Sequence, residues 1–422
     1  MYVRVSGRSV SGTVVAPPSK SYTHRALICS SLAEGISRIV NPSICDDCFA
    51  TIKALTSLGV RSLAVDESII IAGGHLKPKA DLINCDESGT TLRFVVGLTS
   101  LINQRIIITG GKSLLRRPIG ELVRALNALG ANMLSHGDYP PVISYGGFKG
   151  GNTTVRGDIS SQYVSSLLLI SPLAEKEVTL TVPQAESRPY IAMTLRTQES
   201  FGVRVKVSDE EGTLTFQITP TNYKPTDFLV EGDWSSITYF LSAAALSGCV
   251  KVINVNLDSV QADKEIVNVL KSIGASVRTG DGWVEVCEGR LENFEYDVSD
   301  SPDLLPTLAV LAASADGRSV ISGVGRCRLK ESDRVEAVAT NLKKLKVDVE
   351  VRDDELIING TGKVGSGTIS SYGDHRIAMA FSILSLRSEG SILIEDPLCV
   401  SKSFPNFWKD LTALGVDVEV FL

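Results

Sequence analysis

The stretch PPSKSYTHRAL, residues 17–27, sets Lys20, His24 and Arg25 in what reads as the opening of a helix. Unpartnered N–H groups give that end of a helix a partial positive charge, so cations there are unfavourable unless an anion joins them. The placement recurs: Arg93, Arg117, Lys330, Arg334, Arg376 and Lys402 each fall near an expected helix start. Helix N-termini carrying Lys and Arg make a site for phosphate or carboxylate. Carboxylates stand among them. RLKESDR, residues 328–334, puts Glu331 beside Lys330, and SPDLL offers Asp303 at another helix mouth. A carboxylate among cations is held ionised, and one that is desolvated can act as an acid or base. Glu331 and Asp333 suit a helix cap with local ion pairs as well. DHR, residues 374–376, reads either as His375 acting as a general base or as an Asp374 cap with His375 packed beside it. Ser160, Ser161 and Gln162 offer neutral donors and acceptors suited to ring hydroxyls, or ordinary capping.

The elements that must position these groups repeat. LTSLGV, LNALGA, QESFGV, LKSIGA, LKKLKV and LTALGV each end a helical pattern, and their Gly59, Gly130, Gly202, Gly274, Lys346 and Gly415 are separated by 71, 72, 72, 72 and 69 residues. That regularity is an internal repeat, ended by the left-handed residue that closes many helices. A second helix, apolar almost all round, recurs once per repeat and is expected inside the amphipathic ones. Two strand-like runs follow each outer helix, as in ASVRT and WVEVC across Gly280-Asp281-Gly282. The sixth repeat lacks its second strand, and YVRVSG at the amino terminus has the alternation to supply it. The expected division is a central domain of three repeats, 16–230, and a second of three, 1–15 plus 231–422. Crossovers near 14–19 and 229–233 are the expected hinge.

With 422 residues, two or three domains are expected at roughly 100–200 residues each. A net charge of −6 argues against nucleic acid or a membrane surface as partner, so any anion must meet a local cluster. No window approaches a membrane span and no basic leader precedes an apolar run, so a cytoplasmic protein is expected. Eight cysteines are scattered; the one CxxC, Cys45 to Cys48, has no second pair or nearby histidine, so buried or incidental thiols are expected and no metal. TGGKS, residues 109–113, suggests a phosphate loop, but Ile106 stands where a Walker motif needs glycine.

PPSKSYTHRAL, ESGTTLRF, RRPIGEL, SSQYVSSLL, SRPYIAMTL, RLKESDR, YGDHRIAMAF and SKSFPNFW, in that order over residues 6–408, resemble the 5-enolpyruvylshikimate-3-phosphate synthase family. The resemblance implies an α/β protein with the two-domain enolpyruvyl-transferase fold. Each domain would hold three βαβαββ repeats in an inside-out α/β barrel, with inner helices pointing their N-termini at an interdomain cleft. It implies that shikimate 3-phosphate and phosphoenolpyruvate are joined there with release of phosphate, by a monomer needing no cofactor. Carried over by position, Lys20, Ser21, Arg25, Ser160, Ser161, Ser187 and Tyr190 resemble ligands of shikimate 3-phosphate, with Asp303 and Lys330 reaching ring hydroxyls. Lys20, Gly89, Arg117, Gln162, Arg334, Arg376 and Lys402 resemble the phosphoenolpyruvate site. Asp303 is expected to take the 5-hydroxyl proton, and Glu331 or Lys20 to deliver one to the methylene carbon. His24 matches no family role and is expected to be structural or exposed. Two positions depart from the pattern: Glu87 stands where well-known bacterial members have Asn, and Arg326 falls near a substrate-binding Asn, so neither is carried over. The UDP-N-acetylglucosamine enolpyruvyl transferases share the implied fold but begin with SKN rather than Ser19-Lys20-Ser21 and lack KESDR. A non-catalytic repeat protein binding phosphorylated ligands would need the cations but not Asp303 or Glu331.

Overall fold

A computed structural model describes residues 1–421. Twelve α-helices occur in it: α1 (Lys20–Leu32), α2 (Asp46–Ser57), α3 (Gly89–Thr99), α4 (Gly120–Ala128), α5 (Ser161–Ile170), α6 (Arg188–Ser200), α7 (Trp234–Leu246), α8 (Ile266–Ser272), α9 (Leu305–Ser314), α10 (Arg334–Lys344), α11 (His375–Leu384) and α12 (Phe407–Ala413). The odd-numbered helices are buried along nearly their whole length, as their all-round apolar sequences dictate. The even-numbered ones bury one stripe each, Leu122, Val123, Ala125 and Leu126 in α4 for example.

All six residues that close the repeats, Lys346 included, have positive φ, from 64° at Lys346 to 103° at Gly274. The backbone turn is therefore the repeating feature, and glycine is only its easiest occupant. Five inner helices open on a side-chain cap, from Ser19, Ser88, Ser160, Asp233 and Asp374.

Among the described residues the strands form six four-stranded sheets, and none closes into a barrel. Each has one parallel pair followed by two antiparallel ones. In four sheets the parallel pair flanks its own inner helix, as with Leu82–Asn84, α3 and Ile106–Thr109. The other two exchange partners: the strand leading into α1 (Val10–Val15) pairs with Gly248–Ile253, and the strand leading into α7 (Asp227–Leu229) pairs with Gly35–Val40. The first strand, Tyr2–Ser6, lies between Ile392–Glu395 and Asp417–Phe421, with Val3 opposite Ile394 on one side and Val420 on the other. Chain contacts divide the molecule into two compact units, Pro18–Glu231 and a second formed by Met1–Pro17 with the chain from Gly232 onward.

Six cysteines are buried free thiols, as expected of incidental ones. Cys249 and Cys287 are not: antiparallel register sets them opposite each other, and a disulfide joins them. They stand 38 positions apart, so only strand pairing reveals the relation.

Candidate active site

In the 18–231 unit, Ser19 caps α1, and Lys20 takes its first position. The Lys20 ammonium lies 2.9 Å from Asp47, itself in the first turn of α2, where the helix dipole favours a negative charge. Arg25, one turn further along, is 3% exposed. Its guanidinium donates to Thr194 Oγ1 at 2.8 Å and to the carbonyl oxygens of Ser21 and Tyr190, each at 2.9 Å. All these partners are neutral, and burial pulls the guanidinium down to about 10. His24 is buried with Nδ1 2.7 Å from Thr51 Oγ1, and burial, Lys20 and Arg25 hold it well below the usual imidazole range. Of the two expectations for His24, structural or exposed, the structure excludes exposure.

A pair of arginines meets at α3. Arg93 is 2% exposed and donates to the carbonyls of Gly89 and Pro118, both at 3.1 Å. A Cβ on Gly89 would stand 2.4 Å from Arg117 Nη1 and 2.8 Å from Arg93 Nη1. The missing side chain is thus what allows two guanidinia to share the mouth of α3. Burial, then the charge of Arg117, brings Arg93 down to about 10. Neither arginine is paired with a carboxylate among the described residues, and the Nε of each is buried without a hydrogen-bond partner. Beside them Gln162, whose backbone N–H is capped by Ser160, donates from Nε2 to Thr90 Oγ1 at 3.0 Å, while its Oε1 is buried and unpartnered. Ser161 is buried at the start of α5; Ser187, at φ 49°, precedes α6, and Tyr190 lies in the first turn of that helix. Cations without counter-charges and an unused buried acceptor describe a place for an anion with polar substituents.

In the other unit the cations have carboxylates. Asp303, on the turn before α9, accepts from Arg334 at 2.7 Å and Arg376 at 2.8 Å, with Lys330 at 3.5 Å. Burial alone would raise its carboxyl, but Arg376, Lys330 and Arg334 outweigh that and hold it well below the usual range. Arg334, 2% exposed, spends its Nε on Asp374 at 2.8 Å, and Asp374 also caps α11 through the Arg376 N–H. Glu331 meets His375 Nδ1 at 2.8 Å, with Lys402 Nζ 4.0 Å away. Burial lowers Lys330 to about 8 despite Asp303. Lys402 closes a 3-10 turn, Pro397–Lys402, instead of opening a helix; Pro405 follows and α12 starts only at Phe407.

Among the described residues, two groups have the spacing of metal ligands: Cys249, Glu285 and Cys287, and Glu331, Asp374 and His375. In the first, both thiols are consumed by the disulfide. In the second, Asp374 is engaged by Arg334 and its cap, and His375 Nδ1 by Glu331. That set is arranged for protons rather than for a cation.

Three groups were missed from sequence as site members. Asp47 is adjacent in sequence to another aspartate, and its distance from Lys20 along the chain carries no motif. Arg93 was visible as a cation near a helix start, but its meeting with Arg117 was not. Asp263 had no signal at all: it accepts the Ser235 hydroxyl, and burial followed by the charge of Asp303 pushes it up to about 6.

Repeated βαβαββ units, three to each compact unit and with buried arginines at helix mouths, define an enolpyruvyl-transferase type of fold. Solved structures agree: EPSP synthase of Acinetobacter baumannii superposes with a TM-score of 0.81 at 27% identity, covering 99% of this chain and 100% of that one. The enolpyruvyl transferase NikO of Streptomyces tendae superposes at 0.80, over 99% and 98%, but at 16% identity it speaks for the fold alone. The family model described as EPSP synthase (3-phosphoshikimate 1-carboxyvinyltransferase) matches residues 5–411. Among curated relatives, the 3-phosphoshikimate 1-carboxyvinyltransferase of Methanothermobacter thermautotrophicus is 43% identical over 415 residues, 96% of each chain. That of Methanocaldococcus jannaschii is 39% identical over 421 residues, 97% of each. The chain belongs to the EPSP synthase family.

Proposed function

We propose that the protein transfers the enolpyruvyl group of phosphoenolpyruvate to the 5-hydroxyl of shikimate 3-phosphate and releases phosphate, as a step in aromatic amino acid biosynthesis. The observation that carries this reading beyond anion binding is Glu331 held by His375 within reach of Lys402, in the same unit as Asp303 in its cage of three cations. A protein that only bound phosphorylated ligands would need neither carboxylate.

In this reading Arg25, Ser21, Ser160, Ser161, Ser187 and Tyr190 hold the phosphate and ring of shikimate 3-phosphate, and Asp303 and Lys330 fix its hydroxyls. Phosphoenolpyruvate is held by Arg117 and Gln162 beside Gly89, and by Lys20, Arg334, Arg376 and Lys402. Protonation of the methylene carbon leaves a cation-like C2, which the 5-hydroxyl oxygen attacks to give a tetrahedral intermediate. Loss of a proton from the new methyl group then breaks the bond to phosphate. Glu331 lends and retrieves the methylene proton. Lys20, tied to Asp47, is the anchoring group. A carboxylate as strongly ionised as Asp303 is a weak base. When anionic substrates draw Arg376, Arg334 and Lys330 toward themselves, that restraint on Asp303 relaxes and it can accept the hydroxyl proton. The clustered cations stabilise charge on phosphate as it leaves. We further propose a cytoplasmic monomer; no helix among the described residues is long and apolar enough to cross a membrane.

The test is phosphate release from phosphoenolpyruvate by the purified protein, expected only with shikimate 3-phosphate present. Release with UDP-N-acetylglucosamine instead, or with neither acceptor, would overturn the reading.

A further inference from the structure

The TGGKS segment has the donors of an anion-binding loop, and the structure shows what those donors hold. The Gly111 N–H reaches the Asp86 carbonyl at 2.5 Å; the Ser113 hydroxyl and the Leu114 N–H donate to Glu87 Oε2 at 2.5 and 3.2 Å. A Cβ on Gly111 would lie 2.2 Å from Glu87 Oε1, so the carboxylate rests flat against that glycine. The loop encloses a carboxylate of its own chain.

Beyond Leu114 the chain makes one 3-10 turn, Leu114–Arg116, closed by the Arg117 N–H to the Leu114 carbonyl at 3.1 Å. Arg117 then lays its guanidinium on Gly89. The short stretch from Glu87 to Gly89 thus fixes both ends of this arm: Glu87 caps the turn that launches Arg117, and Gly89 receives its head. Leu114, fully buried, anchors the turn from below. The cap residue Ser113 makes no capping bond to the turn's first N–H groups itself.

We propose that Glu87 is a positioning residue for phosphoenolpyruvate: it acts through Ser113 and Leu114 to set the Arg117 guanidinium and touches no substrate. The proposal rests on the enolpyruvyl-transfer reading above. It also accounts for an acidic residue beside an anion site: the charge is spent on its own loop.

Steady-state kinetics on the full chain test it. Glu87→Ala should raise KM for phosphoenolpyruvate roughly tenfold, as misplacement of a positioning group does, leaving kcat and KM for shikimate 3-phosphate within about twofold. Glu87→Gln should restore most of the loss, since an amide oxygen accepts the same two hydrogen bonds. Ser113→Ala should raise the same KM severalfold, and combining it with Glu87→Ala should add little, because both cut one link. Unchanged KM in Glu87→Ala, a matching fall in kcat with both KM values raised, or Gln as poor as Ala would each overturn the proposal while an active wild type left the functional reading standing. If Glu87→Ala does not fold, Ser113→Ala and Glu87→Gln decide: Ser113→Ala with wild-type kinetics overturns it. A wild type inert toward both substrates would overturn the functional reading and this proposal with it.

Discussion

Arg25 and Arg93 in one unit and Arg334 in the other are equally buried, yet they keep different company. Arg25 and Arg93 donate to hydroxyl and carbonyl oxygens; Arg334 is locked between Asp303 and Asp374. Burying a charge without a counter-charge costs free energy, and under the proposed function an anionic substrate offsets that cost when it binds. In the second arrangement the buried cation has its counter-charges, and both carboxyls are held below their usual range. One unit buries guanidinia among neutral oxygens, and the other buries them among carboxylates.

The sharpest break between them would come from Glu331→Gln. Single-turnover and steady-state phosphate release should fall by roughly 10²–10⁴, while both substrates still bind by calorimetry; near-normal turnover would remove Glu331 from the chemistry. Stability should separate the arginines next. Arg334→Met takes from buried Asp374 its guanidinium partner and should cost about 3–5 kcal/mol in ligand-free denaturant unfolding. Arg25→Met, which leaves only neutral partners behind, should cost no more than about 1 kcal/mol, yet raise KM for shikimate 3-phosphate roughly ten- to a hundredfold. Equal losses of stability would erase the distinction. Gly89→Ala is smaller: its Cβ must push the Arg117 guanidinium aside, and KM for phosphoenolpyruvate should rise several-fold with thermal stability little changed.

The gentlest probe is pH. Lys330 loses its proton at about 8, below the ordinary 10.5 for lysine, so kcat/KM should fall as pH rises through 8. Lys330→Arg, charged throughout, should move that limb upward. Stability has the opposite sign. Between about 8 and 10.5 the unfolded chain binds the proton that the folded one has lost, so this group's contribution to stability increases with pH. Activity and stability falling together over that range would exclude Lys330 as the group responsible.

The architecture was legible where the backbone itself repeats. A left-handed residue ends every outer helix at nearly constant spacing, and Lys346 shows that the signal lies in the turn, since it adopts φ 64° without being glycine. The cations of the candidate site were legible too, because each stands near a feature the sequence marks. What each one leans on was not. Lys20 reaches Asp47 across 27 positions, Glu87 reaches Ser113 across 26, and Cys249 meets Cys287 across 38. These pairings depend on loop approach and strand register, which local pattern does not encode. The exchange of strands Val10–Val15 and Asp227–Leu229 between sheets is hidden for the same reason. Within each unit the strands form separate four-stranded sheets with edges of their own.

The first strand lies between two strands from the last thirty-odd residues, and its Arg4 is paired with Glu419, 415 positions away. During synthesis Tyr2–Ser6 is made before both of its neighbours and must wait for them. At roughly 5–20 residues per second that wait is roughly 20–80 seconds. The 18–231 unit can finish meanwhile, with all its strands and helices already made. The other unit then completes its last sheet around a strand made long before its partners, so deleting residues 1–6 would remove the middle of a sheet, not an end.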